Sequence, residues 1–219
     1  MKTSSLEQVF ERLLDHFGPL HWWPADTPFE VVIGAILTQN TAWTNVEKAI
    51  VNLRLHDGLT PDALRAAPRK RLEDWIRPAG FFRQKAERLQ LFTEHLFARH
   101  GGDLRRMLAG PLAEVREELL ALKGIGPETA DSILLYAGGR PSFVVDAYTR
   151  RLFGRLQLLD ADAPYEHIRA FFMDRLPADS DLFNEYHALI VEHCKRLCRK
   201  QRPLCPECCL LDLCPFAKG

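Results

Sequence analysis

Four cysteines near the end of the chain have the type and spacing of metal ligands. All six cysteines of the protein lie between positions 194 and 214. Four of them follow the pattern Cys198-x6-Cys205-x2-Cys208-x5-Cys214. Thiolates that a short loop brings together suit a soft metal centre, either a tetrahedral zinc ion or a four-iron cluster, and the spacing alone leaves both open. Cys194 and Cys209 fall outside the pattern and are interpreted as buried or idle thiols.

Two carboxylates occupy predicted helix starts. Asp146 stands directly before the helical segment "AYTRRL", and Glu128 follows Pro127 in "LKGIGPETA". An acid in either place has a structural explanation, because it caps the helix or interacts favourably with the helix dipole. A positioned carboxylate can instead stabilise positive charge on a sugar and activate water, and this is the alternative for Asp146.

Two groups of residues are candidates for phosphate contact. Gly124 and Gly126 form a Gly-x-Gly turn ahead of a helix. Glycines let backbone N–H groups converge on a ligand, and a helix N-terminus favours an anion, so we expect a phosphate to bind there. The second group is a run of cations beside the cysteines, in which Lys195 and Arg199 are the main candidates, although such a run is often only solvated.

The elements that position these residues are predicted to be helices. A stripe of apolar residues marks a first helix up to Gly18, and Thr27, Pro28 and Glu30 have the pattern of a capping box. Further helical patterns cover about 43–54, 61–66, 69–77, 84–100, 111–122, 127–138, 147–156, 164–175 and 179–197. No alternating strand pattern stands out, so the predicted fold class is all-α.

Composition indicates an ordinary folded protein. The 219 residues are 47% hydrophobic and 26% charged, with no net charge, which excludes a disordered chain and does not favour indiscriminate coating of nucleic acid. The longest apolar run, 31–37, is too short to span a bilayer, and the N-terminus lacks an export signal. We expect a cytoplasmic protein without a membrane partner.

Taken together, the motifs resemble the endonuclease III superfamily of helix-hairpin-helix DNA glycosylases. The resemblance rests on the Gly-x-Gly hairpin, the "VVD" segment that ends at Asp146 and the cysteine pattern of the tail. It extends over nearly the whole chain, including "ILTQNTAWTNVEKA" at 36–49 and "AGFFRQKAERL" at 79–89, which are similar to the family's DNA-wedge segments.

This resemblance implies a fold, a cofactor and a partner. It implies a helical barrel domain at 25–135, with the hairpin at about 113–138, and a cluster domain made of 1–24 and 136–219, with DNA in the cleft between them. The four cysteines of the pattern would bind a [4Fe-4S] cluster, and Asp146 would be the catalytic carboxylate. The partner would be double-stranded DNA with a damaged or mismatched base, bound by a monomer associated with the nucleoid.

Glu128 departs from the family pattern in a way that changes the expected chemistry. Bifunctional endonuclease III enzymes have a lysine at this hairpin position, and its amine forms a Schiff base with the sugar. A carboxylate cannot form that imine. Lys123 lies on the other side of the turn and is expected to point elsewhere. The sequence therefore predicts a monofunctional glycosylase, without lyase activity, in which Glu128 lies near the sugar.

Aromatic residues suggest which base is released. Trp22 and Trp23 are adjacent, and Trp43 begins the next helical segment after Gln39. This arrangement resembles the bacterial 3-methyladenine DNA glycosylases, in which aromatic rings sandwich the everted base. A cationic alkylated purine stacks well between such rings. We therefore expect a base pocket made of these tryptophans and Gln39, although core packing also explains tryptophans.

The everted base must be replaced in the duplex by a wedge. The similarity of the two wedge segments assigns that role to Asn40 and Phe81. The alternative is that they are ordinary helix and core residues.

Three other functions remain open on the sequence. A mismatch glycosylase acting on adenine, thymine or uracil is one, although the chain lacks a further C-terminal domain expected of the adenine enzymes. Activity on oxidised pyrimidines is weakened by Glu128. A catalytically weak protein that binds DNA structure is the third, and the presence of Asp146 counts against it.

Overall fold

The computed structural model describes residues 5–23 and 25–218. These residues form helices and connecting loops without any β-strand, which confirms the predicted all-α class. None of the helices in these ranges is long and apolar enough to cross a membrane. The chain divides into two compact units. We call residues 23 and 25–140 the central unit, and residues 5–22 with 141–218 the terminal unit.

The central unit contains a run of short helices connected by tight turns. They are α2 (Pro28–Leu37), α3 (Trp43–Leu55), α4 (Pro61–Ala66), α5 (Arg69–Trp75), α6 (Phe82–His100), α7 (Leu104–Leu108), α8 (Leu112–Leu120) and α9 (Pro127–Ser132). One turn of π-helix, Ile133–Ala137, continues α9.

The helix α2 lies at the centre of this unit and is buried from Phe29 to Leu37. Pro28 occupies its first turn, and Thr27 Oγ1 accepts a hydrogen bond from Glu30 N at 3.1 Å. The other half of the predicted capping box is absent, because the Glu30 carboxylate binds Arg54 of α3 at 2.9 Å. The helix start is therefore fixed by one cap and one ion pair.

The terminal unit is formed by the two ends of the chain. Its helices are α1 (Ser5–Phe17), α10 (Ala147–Arg155), α11 (Tyr165–Met173) and α12 (Ser180–Arg196), followed by three short 3-10 turns in the cysteine loop. A cluster of buried aromatic rings packs these helices together, including Phe143, Phe172 and Tyr186. The Tyr186 hydroxyl donates to Leu6 O at 2.7 Å and so attaches α12 to α1.

Several predicted helix limits are wrong by a few residues. The predicted helix 69–77 ends at Trp75, since Pro78 disfavours an α conformation at the residue before it. The predicted helix 127–138 changes to a π turn after Ser132. The helix α7 was not predicted. It starts at a recognisable cap, in which Asp103 accepts hydrogen bonds from the backbone N–H groups of Arg105 and Arg106.

Candidate functional site

Asp146 caps α10 with one carboxylate oxygen, and its other oxygen does not take part in the cap. Its Oδ1 accepts hydrogen bonds from Thr149 N at 2.8 Å and from Thr149 Oγ1 at 3.1 Å. Its Oδ2 lies 3.5 Å from His187 Nε2 of α12. The structural and the catalytic interpretation of this residue are therefore compatible, because capping occupies only Oδ1.

The surroundings of Asp146 keep its carboxylate ionised. The side chain is 14% exposed, and that of His187 is 6% exposed. Burial by itself would raise the pKa of Asp146, but the hydrogen bond and charge of His187 and the hydrogen bonds from Thr149 together hold the pKa below its usual value. His187 was not among the predicted site residues.

Trp22 lies beside this acid and histidine pair within the terminal unit. Its ring stacks on that of His187, with centroids 5.8 Å apart and planes at 19°. Lys195 Nζ approaches the Trp22 ring to 5.9 Å from its centroid. Glu185 fixes the preceding backbone by accepting hydrogen bonds from Leu20 N and His21 N. The predicted base-pocket residue Trp22 and the predicted catalytic residue Asp146 are thus brought together through His187.

The four cysteines of the pattern line one cavity with mainly apolar walls. Cys198, Cys205, Cys208 and Cys214 all face it, together with leucines of α10 and the tail. None of the six cysteines forms a disulfide. Arg155 Nη1 donates to Cys198 Sγ at 3.2 Å, and Leu210 N lies 3.4 Å from Cys208 Sγ.

Two arginines of α10 attach the cysteine loop to the helix that Asp146 caps. Arg151 Nε donates to Cys198 O at 2.8 Å. Arg155 Nη1 donates to Arg199 O at 2.8 Å. Because these arginines are one helical turn apart, both face the loop. Neither was predicted from the sequence, where they stand in an ordinary amphipathic helix.

Lys195 and Arg199 are both exposed, as expected of phosphate contacts. Arg199 Nε donates to Arg196 O at 3.0 Å, so part of its guanidinium is engaged within the loop.

The glycine turn is built as predicted, but its two glycines serve different purposes. Gly124 has a φ of +88°, and a Cβ there would lie 2.4 Å from Arg88 Nε. Gly126, which precedes α9, has no atom within 4 Å of the place of a Cβ. Gly124 is therefore required by the fold, whereas Gly126 leaves open space at the helix start.

Gln39, one of the predicted base-pocket residues, supports this turn through hydrogen bonds. Its Nε2 donates to Gly124 O and to Thr129 Oγ1, both at 2.9 Å. Its Oε1 accepts a hydrogen bond from Arg88. Both N–H groups of the amide are thus engaged, and all three partners lie within the central unit.

The two helices of the hairpin are joined by a buried ion pair. Arg116 of α8 binds Asp131 of α9 through two hydrogen bonds of 2.9 and 3.1 Å. The Asp131 side chain is completely buried. This bidentate pair fixes the angle at which α9 presents its first turn.

Glu128 lies exposed in that first turn. Lys123, the other candidate amine of the hairpin, binds Glu87 of α6 at 2.6 Å. The lysine therefore interacts with α6.

Asn40 and Phe81, the two predicted wedge residues, share an uncommon backbone. Asn40 has a φ of +54° and Phe81 a φ of +44°, in the left-handed region that most side chains avoid. Asn40 is exposed, and Phe81 is 64% exposed. The structure thus gives both residues conformations that need support from their surroundings.

That support comes from Lys85, which the sequence analysis did not single out. Its side chain is 1% exposed. Its Nζ donates to Leu37 O at 2.9 Å and to Ala79 O at 2.7 Å. One carbonyl precedes Asn40 and the other precedes Phe81, so a single buried amine anchors both turns. Burial lowers the pKa of Lys85 to about 8, and the charge of Arg88 adds to this effect.

Trp23 and Trp43, two of the predicted base-pocket residues, meet in the central unit. Their rings are in edge-to-face contact, with centroids 5.0 Å apart and planes at 89°. Tyr136 packs on Trp23 with a centroid distance of 4.9 Å. Perpendicular rings in contact leave no gap for a base. A cavity of about 150 Å³, lined by both tryptophans, Gly34, Glu47 and Arg54, lies beside them.

Comparison with known proteins identifies the group to which this architecture belongs. Residues 33–178 match the family model of the HhH-GPD superfamily base excision DNA repair protein. The chain belongs to this family. A Methanocaldococcus jannaschii protein provisionally named a DNA repair glycosylase is 46% identical, with 97% of each chain covered.

Two solved structures extend the relation to the fold of this HhH-GPD protein. A non-covalent endonuclease III–DNA complex is 26% identical, with a TM-score of 0.83 and coverage of 99% of this chain and 98% of that one. The H. pylori 3-methyladenine DNA glycosylase bound to 1,N6-ethenoadenine is 29% identical, with a TM-score of 0.74 and coverage of 86% and 96%. The protein is thus a base-excision DNA glycosylase of the endonuclease III superfamily.

Proposed function

We propose that this HhH-GPD glycosylase is monofunctional and releases an alkylated purine such as 3-methyladenine from double-stranded DNA. The observation that carries the first part is the exposed Glu128 in the first turn of α9. By resemblance this is the position of the Schiff-base lysine in bifunctional enzymes. Lys123, the nearest amine in sequence, binds Glu87 instead. Water then has to be the nucleophile.

Asp146 is the proposed catalytic carboxylate. As the bond between C1′ and the base breaks, its electron pair leaves with the base, and positive charge develops on the sugar. An ionised carboxylate stabilises that charge and accepts the proton of the attacking water as the new C1′–O bond forms. Oδ2 is the oxygen for this role, because Oδ1 is held by Thr149. His187 positions the carboxylate.

The aromatic residues support an alkylated purine as the leaving base. A purine methylated at N3 or N7 carries positive charge, and cation–π attraction adds about 0.5–2 kcal/mol to its stacking on electron-rich rings. Trp22, stacked on His187 beside Asp146, offers one such ring. Trp43, which is in edge-on contact with Trp23 beside a cavity of the central unit, is a second electron-rich ring of this kind. The likeness to the H. pylori enzyme supports the same substrate class.

The cysteine loop is proposed to hold a [4Fe-4S] cluster through Cys198, Cys205, Cys208 and Cys214. Their free thiols line one apolar cavity, and N–H donors reach two of the sulfur atoms, as is usual around iron–sulfur clusters. Such a cluster would stiffen the loop that carries Arg199.

A base-release assay tests the proposal. Matched duplexes would contain methylated purines, oxidised pyrimidines, uracil, or adenine and thymine mismatches. We expect release of 3-methyladenine at a rate at least tenfold above that of the other bases. Preferred release of an oxidised or mismatched base would contradict the assigned substrate. Tight binding to abasic DNA without release of any base would contradict the glycosylase mechanism itself.

A further inference from the structure

Two histidines and a glutamate converge on one point of the central unit, in a region without a role so far. His95 and His100 lie near and at the end of α6, and Glu118 lies on α8. Both imidazole Nε2 atoms are 2.6 Å from the same oxygen, Oε1 of Glu118. The three ligand atoms all lie within 4.8 Å of one another.

Two imidazoles and one carboxylate are a ligand set that zinc uses, with water in the fourth position. Bond lengths of 2.0–2.2 Å in a tetrahedral site place the ligand atoms about 3.3 Å apart. At present each Nε2 lies 2.6 Å from Oε1, and the two Nε2 atoms lie within 4.8 Å of each other. Rotation of these side chains that lengthens the Nε2–Oε1 distances would make room for an ion.

The exposure of the three side chains also fits an ion that enters from solvent. His95 and Glu118 are each 24% exposed, and His100 is 16% exposed. The ligands are thus sheltered enough to be held in place by packing, while one side stays open to water. Imidazole nitrogen selects zinc and similar transition metals over magnesium and calcium, which prefer oxygen ligands.

We propose that His95, His100 and Glu118 form a zinc-binding site that ties the end of α6 to α8.

A zinc ion at this site would connect the two helices, α6 and α8, that support the turns proposed to contact DNA. The helix α6 carries Lys85 and Arg88, which brace the wedge and hairpin turns, and α8 carries Arg116, which holds α9. Zinc at this site would fix the two supporting helices against each other. None of the three residues is assigned a part in bond cleavage, so the effect of zinc is expected in stability rather than in chemistry.

Zinc uptake by the cluster-loaded full-length protein tests the proposal. The protein, stripped of loosely bound metal with a chelator, is titrated with zinc chloride by calorimetry, and its zinc and iron contents are measured afterwards. We expect one zinc ion per chain with unchanged iron. At a hundredfold excess over the dissociation constant, the thermal midpoint should rise by about 5–10 °C, and magnesium should give no rise.

Two variants and a control assign the zinc to this site. Glu118→Gln keeps an amide oxygen that can accept the histidine hydrogen bonds, so the fold is retained, yet it should bind zinc at least tenfold more weakly. His95→Ala should lose the stoichiometric ion. His167→Ala, which removes an exposed histidine of the terminal unit, should bind zinc like the wild type. Absence of stoichiometric uptake by the wild type, or uptake that both site variants retain, would overturn the proposal.

Discussion

The surroundings of Asp146 in the terminal unit contrast with the two left-handed turns of the central unit. Asp146 is largely buried, and hydrogen bonds from Thr149 and the approach of His187 fix its carboxylate. Phe81 is exposed, and its own backbone is uncommon, while the fixed group is Lys85 beneath it. The side chain of Asp146, proposed for chemistry, is thus fixed by its own hydrogen bonds. Phe81, proposed for DNA contact, is supported only through the backbone that Lys85 binds.

This difference predicts how substitutions in the two regions should behave. A change at Asp146 should remove chemistry and leave the fold, because an isosteric amide still caps the helix. A change at Lys85 should loosen the turns that carry Asn40 and Phe81. It should therefore affect both the stability of the fold and the eversion of the damaged base from the duplex. A change at Phe81 should affect only the eversion of the damaged base from the duplex.

The largest effect is expected for Asp146→Asn. Base release in single-turnover assays should fall on the order of 10³-fold, because the charge that stabilises the sugar cation is lost. The thermal midpoint should change little, since the Asn side chain still accepts a hydrogen bond from Thr149 N. A loss of activity that is matched by loss of the folded state would contradict the separation of the two roles of Asp146.

The same residue makes a prediction about acid conditions. Because the pKa of Asp146 is held below its usual value, its carboxylate stays ionised as the pH falls from 7 to 5. Protonation of this group should therefore cause no decline of single-turnover base release in that range. A decline of single-turnover base release in that range would contradict this expectation.

The next effect is expected for Lys85→Met, which fills a similar volume but donates no hydrogen bond. Two buried carbonyls, Leu37 O and Ala79 O, lose their partner, and the free energy of unfolding should fall by about 2–4 kcal/mol. Denaturant titration measures this. Release of a damaged base from a paired site should also fall more than release from a mismatched site, which is easier to open. Equal loss on both substrates would argue against support of the wedge.

A smaller effect is expected for Phe81→Ala. Base release from a paired site should fall about tenfold, while release from a mismatched site and the thermal midpoint should hardly change, because the ring is mostly exposed. Leu55→Ala is the matched control, since Leu55 is 74% exposed and lies in no wedge segment. If both variants lose activity alike, Phe81 has no special role.

The smallest effects come from the two glycines of the hairpin turn. Gly124→Ala should destabilise the fold by about 1–2 kcal/mol, because of its positive φ and the contact with Arg88. Gly126→Ala should leave stability unchanged but weaken DNA binding several-fold by filling the open space at the helix start. Denaturant titration and fluorescence anisotropy on duplex DNA separate the two. Identical behaviour of the variants would contradict the division of roles.

Much of the fold and part of the site could be predicted from local sequence. The cysteine spacing, the helix that starts after Asp146 and the glycine turn are each encoded within a few residues. His187 and Lys85 could not be found in this way, because Asp146 is 41 residues from His187 and Leu37, one of the two partners of Lys85, is 48 residues away. Only the tertiary fold brings these groups together. The contact of Gln39 with the hairpin turn could not be predicted for the same reason, since Gly124 lies 85 residues away.

The tryptophans show a different limit of sequence reasoning. Trp22 and Trp23 are adjacent in the chain, yet they belong to different units and contact different partners, His187 and Trp43 respectively. Aromatic residues that are close in sequence predict a surface for stacking, but the angles between their ring planes depend on tertiary packing. The perpendicular contact of Trp23 and Trp43 could therefore not be predicted from the sequence.

Borohydride trapping on abasic and damaged duplexes tests the central claim, hydrolysis by water under the control of Asp146, most directly. The wild type should give no covalent complex, whereas Glu128→Lys should give one, because the new amine then reaches the sugar. A Glu128→Gln variant controls for loss of the charge alone. A covalent complex with the wild type would contradict the account.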